Sequence, residues 1–221
     1  MSRYDLSLPA GRRRAYLDYL WKDHAYLRVG FQNAHWISPE LVRTNQPWPH
    51  QLKWWRDHGI KTVINLRGGF DASFYALEKE ACERLGLKLI DFTVTSREAP
   101  SKDQIRGAKE LFQTIEYPAL MHCKSGADRA GVMGVLYAHF RLGMSIRDAV
   151  QQLSFRYLHV RHGKTGVLDY VFQRYLLEAE PQGISFIDWV ESDAYDPKQI
   201  KADFQANWWG TLLTERMLKR E

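Results

Sequence analysis

The stretch from Tyr117 to Phe140, "YPALMHCKSGADRAGVMGVLYAHF", decides the fold. A short apolar run closes on Cys123, Arg129 stands six residues later, and a small-residue, apolar run of helical character follows. Cys123 is one of only two cysteines in the chain, the other being Cys82. A lone thiol at the end of an apolar run is commonly a buried core group. A thiol that opens a tight loop ahead of a helix has a second reading, as a nucleophile aimed at phosphate. That chemistry needs a thiolate near neutral pH, from a thiol whose ordinary pKa is ~8.5. A helix N-terminus and a nearby cation supply the shift. The amides of Lys124 to Arg129 can turn inward into an anion-binding nest. Gly126 permits the positive φ or close backbone approach that so tight a loop requires. The substrate-holding candidates are therefore Lys124, Ser125, Gly126 and Ala127. Arg129 adds bidentate contact with two equatorial phosphoryl oxygens, a geometry that Lys does not offer. Cys123 attacks phosphorus in line, and water hydrolyses the resulting phosphocysteine.

Outward from this stretch, strand and helix patterns alternate. Upstream, "GRRRAYLDYLWKDHAYLRVGFQ" reads as a helix beginning near Arg12, and "LVRT" over Leu41–Thr44 as a strand stopped by Pro47 and Pro49. "PHQLKWWRDHG" is a short helix ending at Gly59, and "IKTVINLRGG" a β-branched run closing in an Arg-Gly-Gly turn. The next helix takes Asp71 as its N-cap and Gly86 as its stop; "LKLIDFTVT" is a strand and "SREAPSKDQ" a polar loop. Ser101 and Gln104 have the spacing of a capping box, "YPALMHC" is an interior strand, and helices run from Arg129 to about Glu180. Such alternation predicts an α/β fold with a mostly parallel central sheet flanked by helices. Ligands of these sheets lie beyond the carboxyl ends of the strands, where both "NLRGG" and "HCKSGADR" fall.

The string His122-Cys123-Lys124-Ser125-Gly126-Ala127-Asp128-Arg129, between a strand and a helix, resembles the signature of the cysteine-dependent protein tyrosine and dual-specificity phosphatases. The segment "LVRTNQPWPHQLKWWRDHGIKTVINLRGG" is similar to the opening of the compact, atypical dual-specificity branch. The resemblance covers Leu41 to Glu178. It divides the chain into an N-terminal helical extension (1–40), a catalytic domain (41–180) and a C-terminal helical extension (181–221). It implies a phosphoric monoester hydrolase that works through phosphocysteine and needs no metal or cofactor. One departure is Ala130, where the superfamily carries Ser or Thr to assist breakdown of the intermediate; Ser125 is the available substitute. A weakly active, phosphate-binding adaptor is the alternative that this departure keeps open.

The leaving oxygen needs a proton. In much of the superfamily an Asp about thirty residues before the Cys supplies it. Asp91 has that separation but falls within the expected strand, and Asp103 falls at a helix start where it serves the dipole. Glu98 is on the loop and is the alternative acid. Asp128, next to Arg129, resembles the Asp-Arg pair of myotubularin-type lipid phosphatases and is the preferred acid. Arg67 in "NLRGG" either reaches the substrate or pins its loop through a carboxylate. His122 orients the cysteine backbone, His159 and His162 lack metal-ligand spacing, and Cys82 is a small core residue.

The whole chain sets looser bounds. Its 221 residues suffice for a substantial core, and a formal net charge of +5 suits phosphorylated partners. Free thiols favour a reducing compartment, so a cytoplasmic protein is expected. No N-terminal apolar region resembles a secretory signal, and no run approaches the ~18 apolar residues of a membrane span. Basic and aromatic side chains meet in Arg12–Trp21 and again in "NWWGTLLTERMLKRE", where Trp209, Leu213 and Met217 recur at four-residue spacing beside Lys219 and Arg220. Such helices suit peripheral contact with an anionic membrane, or they pack on the core. No nucleic-acid-binding module is present. The expected substrate is thus a phosphorylated lipid or glycolipid, with phosphoprotein the alternative.

Overall fold

The computed structural model describes residues 3–206. A five-stranded sheet holds the molecule together, in the order β1 (His35–Ser38), β2 (Leu41–Thr44), β5 (Ala119–His122), β3 (Thr62–Asn65), β4 (Lys88–Asp91). Only β1 runs antiparallel; the other four strands are mutually parallel. The sheet is therefore mostly parallel, as the alternation predicts. β2, β3 and β5 are buried along their whole length. Being covered on both faces, they read in sequence as near-continuous apolar runs.

Alternation within those runs sorts side chains between two cores. Leu41, Ile64, Ala119 and Met121 face α4 (Lys102–Thr114), α5 (Asp128–Phe140) and α7 (Val167–Glu178), together with the short α8 (Phe186–Glu191). Val42, Val63 and Leu120 face Leu52 and Trp55 of α2 (Pro49–Asp57) and Ala81, Cys82 and Leu85 of α3 (Ser73–Leu85). A fully buried Leu, Ile or Phe contributes about 1.5–3 kcal/mol, so these two layers are the main source of stability. Burial also pushes the Cys82 thiol upward, which fits its expected place as an inert core residue. Between α5 and α7 lie the one-turn α6 (Ile146–Ala149) and several 3-10 turns.

α1 (Pro9–Trp21) starts three residues before the expected Arg12, because Pro9 pre-sets the first helical turn. Its Ala15 and Tyr19 pack with Tyr4, Ala25, Trp48 and Leu77 in a third cluster. β1 lies inside the segment expected as a helical extension, so residues 1–40 join the sheet as well as covering it. The N-cap of α3 is Ala72, not Asp71. The Ser101/Gln104 capping box of α4 is formed, with bonds of 3.1 and 2.9 Å. Residues 197–206 are helical. Trp209, Leu213, Met217, Lys219 and Arg220 lie outside the described residues.

Candidate active site

β5 ends at His122 and α5 begins at Asp128, so Cys123–Ala127 is a strand-to-helix loop at the carboxyl edge of the parallel strands. The carbonyls of four consecutive loop residues are taken by protein donors. The Gln46 N–H donates to Lys124 O at 3.3 Å, and Asn33 Nδ2 donates to Ser125 O at 3.0 Å. Arg43 Nη2 donates to both Gly126 O and Ala127 O at 2.8 Å. In a planar trans peptide the following N–H points the opposite way. The amides of Ser125, Gly126, Ala127 and Asp128 are thus directed toward the inside of the loop, and the Gly126 N–H donates to Cys123 Sγ at 3.2 Å. This is an anion nest built by its outer scaffold.

Gly126 has φ +75°, and a Cβ there would lie 2.8 Å from backbone atoms of Thr44 and Asn45. Gly131, one turn into α5, makes room for Leu153, whose Cδ2 would lie 2.7 Å from an added Cβ. Arg43 itself is fully buried on β2, stacked 4.2 Å above the Tyr157 ring, with Nη1 on Gln152 O at 2.6 Å. Burial pulls its guanidinium down to about 10, against the opposing pull of Cys123, Tyr157 and Asp128. It remains charged at neutral pH and places a buried cation behind the nucleophile's loop.

Cys123 is buried, and Arg129 is half-buried, its side chain without a hydrogen bond or ion pair among the described residues. Lys124, Ser125, Asp128 and Arg129 form one side of an open cleft of about 640 Å³. Leu27, Phe31 and Leu158 line the same cleft and are 64%, 50% and 47% exposed.

The two acid candidates are separated by this geometry. Asp128 opens into the cleft, and its Oδ1 lies 2.7 Å from His159 Nδ1. His159 Nε2 lies 2.6 Å from Asp169 Oδ2, and Asp169 Oδ1 in turn is 3.0 Å from Arg161 Nε. Burial pulls His159 down, but hydrogen bonds and charge from Asp128 and Asp169 outweigh it and raise the imidazole to about 9. Glu98 pairs with Lys201 and lines a different cavity, beside Lys164 and Phe204. Asp91 ends β4 and accepts from Asn65 and Tyr75 at 2.9 and 2.6 Å. Asp103 sits in the first turn of α4 and pairs with Arg106.

Arg67 takes the pinning role. Its guanidinium donates to Asp23 at 2.7 and 3.2 Å and to Gln46 at 2.9 Å, and stacks on Phe74 at 3.6 Å. It is not among the residues that line the cleft. Asp23 also pairs with Arg28, and Lys124 Nζ lies 3.4 Å from its Oδ1. His122 is fully buried; its Nε2 is 2.7 Å from Glu78 Oε1 but off the line of a hydrogen bond.

Sequence reasoning missed Arg43, Asn33, His159 and Asp169. An Arg inside the otherwise apolar "LVRT" strand was the available signal, since a buried charge requires acceptors. His159 lies in irregular chain and Asp169 ten residues later in the first turn of α7, a pairing that carries no spacing signal.

A family described as "DSP-PTPase phosphatase fused to NAD+ Kinase" matches residues 33–166, more than half of the chain. Among solved structures, the chain is similar to TpbA of P. aeruginosa at 16% identity, over 72% of this chain and 88% of that one, with TM-score 0.51. It is similar to Tk-PTP at 18% identity, over 65% and 97%, with TM-score 0.50. PTPMT1 in complex with PI(5)P is alike at 16% identity, over 66% and 98%, also with TM-score 0.50. No curated protein matches the chain.

Proposed function

Since the chain belongs to the DSP-PTPase phosphatase family, within the atypical dual-specificity branch, and is a cysteine-based phosphoric monoester hydrolase, we propose that its substrate is a membrane-presented phosphorylated lipid or glycolipid. The observation that carries this reading is the composition of the cleft, where the cationic Arg28, Lys124 and Arg129 meet the exposed apolar Leu27, Phe31 and Leu158. A phosphate on an acyl-bearing molecule needs both surfaces. Phe155 and Val160, near Leu158 in sequence, are 76% and 51% exposed. Exposed aromatic and aliphatic side chains near a cationic site suit the headgroup–acyl boundary of an anionic membrane. No helix of the described residues is long and apolar enough to cross a membrane, so contact would be peripheral. Fold alone does not choose the substrate. Structures of equal likeness were solved with PI(5)P in one case and phosphotyrosine in another.

The mechanism follows from the site. Cys123 Sγ, receiving the Gly126 N–H, attacks phosphorus as a thiolate. The four inward amides and the Arg129 guanidinium carry the equatorial oxygens, whose charge is held best by fixed donors in a water-poor loop. The P–O bond to the leaving group breaks as the S–P bond forms, and Asp128 passes a proton to the departing oxygen. Water then attacks phosphocysteine, its proton returns to Asp128, and thiolate and phosphate are released. Ala130 is fully buried and offers no hydroxyl to this second step, which leaves Ser125 as the loop's hydroxyl, while Asp128 carries the proton in both directions.

The deciding measurement is phosphate release from a phosphorylated glycolipid or phosphoinositide in vesicles, beside a phosphotyrosine peptide, with Cys123→Ser as blank. The expected result is at least a tenfold higher kcat/KM on lipid. A clear preference for the peptide overturns the lipid assignment and brings Glu98 forward as acid. Silence on both, with phosphate still bound, makes the protein an adaptor.

A further inference from the structure

We propose that His159, held between Asp128 and Asp169, is the proton store from which Asp128 supplies the leaving group. This rests on Asp128 being the acid of the reaction above. An aspartate of ordinary acidity, pKa ~3.9, holds a proton only about once in a thousand at pH 7. An acid standing alone in the loop would therefore be empty when the thiolate is ready. The chain Asp128 Oδ1–Nδ1 His159 Nε2–Oδ2 Asp169, with links of 2.7 and 2.6 Å, solves that problem.

With a carboxylate on each ring nitrogen, the imidazole is held as the cation, protonated up to about pH 9. The charged groups facing it are Asp128 from α5 and Asp169 from α7, and Arg161 balances Asp169 from the other side at 3.0 Å. His159 has no exposed side-chain surface, so its proton exchanges with the cleft through Asp128. Asp128, a quarter exposed, is the member that lines the cleft.

The step balances as follows. The S–P bond forms and the P–O bond breaks, leaving an alkoxide oxygen. One proton passes from His159 Nδ1 to Asp128 Oδ1, and from that carboxyl to the leaving oxygen. The products are the alcohol, phosphocysteine, a carboxylate and a neutral imidazole whose Nε2–H stays on Asp169. When water attacks phosphorus, its proton returns along the same route. Thiolate, phosphate and imidazolium are regenerated. His159 never touches substrate; it is a positioning residue that acts through Asp128.

Leaving-group dependence tests this, because an aryl oxide departs with little protonation and an alkoxide does not. His159→Gln should lower kcat on an alkyl phosphate about 100-fold at pH 7.5 and on p-nitrophenyl phosphate less than about 5-fold. In the wild type, kcat on the alkyl phosphate should hold until its basic limb near pH 9. Asp169→Asn should move that limb toward neutrality, since one of the two carboxylates that keep the proton is gone. Equal losses on both substrates in a folded, vanadate-binding His159→Gln overturn the store. So does an unmoved basic limb in Asp169→Asn. If His159→Gln does not fold, ring-nitrogen NMR of the wild type decides: titration of His159 below pH 7 overturns the proposal. Asp128→Asn separates the two layers of inference. A selective alkyl loss there with none in His159→Gln keeps the acid and removes the store. No selective loss in Asp128→Asn removes the acid itself.

Discussion

At the scale of single residues, the site depends most on Arg43. It touches neither cleft nor nucleophile, yet it holds two of the loop's four outward carbonyls and is fixed itself by Gln152 and Tyr157. Arg43→Met takes the donor from Gly126 O and Gln152 O, at about 1–3 kcal/mol each, while Ala127 O keeps the Gly131 N–H. A stability loss of at least about 3 kcal/mol is expected by urea unfolding, with vanadate affinity reduced more than tenfold. Unchanged vanadate binding would mean that the loop holds its shape without the clamp. Gly126→Ala tests the same shape from inside: a Cβ at φ +75° and 2.8 Å from the Thr44–Asn45 backbone cannot be seated without moving the loop. Its effect should fall on kcat with Cys123 intact, read as a loss of about 100-fold or more on aryl phosphate. The proposed nucleophile, phosphate-binding Arg and acid stand out together in the sequence because one short stretch carries Cys123, Arg129 and Asp128. Arg43 was not, since a buried Arg on β2 acquires meaning only when β2 pairs with β5, Arg43 opposite Met121.

At the scale of elements, the segment after α1 and the catalytic loop share one carboxylate. Asp23 is 11% exposed at its side chain and meets Arg28, Arg67 and Lys124. Burial pushes its carboxyl up, but the three cations outweigh this and hold it below the usual range. Because the folded value is the lower one, its contribution is complete above the unfolded carboxylate pKa of ~3.9 and drains away as pH falls through the folded value. Asp23→Asn should cost about 3 kcal/mol at pH 7, since buried Arg28 and Arg67 lose their counter-charge. The gap between variant and wild-type urea midpoints should close below about pH 4. A gap that persists into acid would show that Asp23 acts by shape rather than charge. Element existence was read well from the sequence: strands at Leu41–Thr44 and "YPALMHC", and the capped α4, stand where patterning placed them. β1 was missed because four residues of mixed burial, ending in a bulge before a turn, show neither alternation nor an apolar run.

At the scale of the whole molecule, the cleft is lined by Leu27, Arg28 and Phe31, by Leu158, and by Lys124, Ser125, Asp128 and Arg129 of the phosphate loop and the start of α5. Phe155 and Val160 are exposed near Leu158 in sequence. Exposed apolar side chains in these segments should give the protein a vesicle affinity that rises with anionic lipid. Phe155→Ser should reduce the ratio of vesicle to soluble-substrate activity about tenfold, measured with the same headgroup in both forms. An unchanged ratio would leave the apolar side of the cleft to the substrate alone. The apolar lining residues were beyond the sequence's reach, because nothing in Phe31 or Leu158 marks them as neighbours until the sheet has placed Asn33 across both Ser125 and Tyr157. That last contact also bears on the order in which the site comes into being. Donors for the loop's carbonyls lie at residues 33, 43 and 46, ahead of it in the chain, while the ring that serves Asp128 lies at 159 and its far carboxylate at 169. During synthesis the donors to the nest therefore precede it, while Gln152 and Tyr157, which fix Arg43, and His159 and Asp169, which serve Asp128, are added only afterwards. A nascent chain stalled between the two stages would carry the loop without the proton that lets an alcohol leave, so an alkyl phosphate could bind but would form little phosphocysteine.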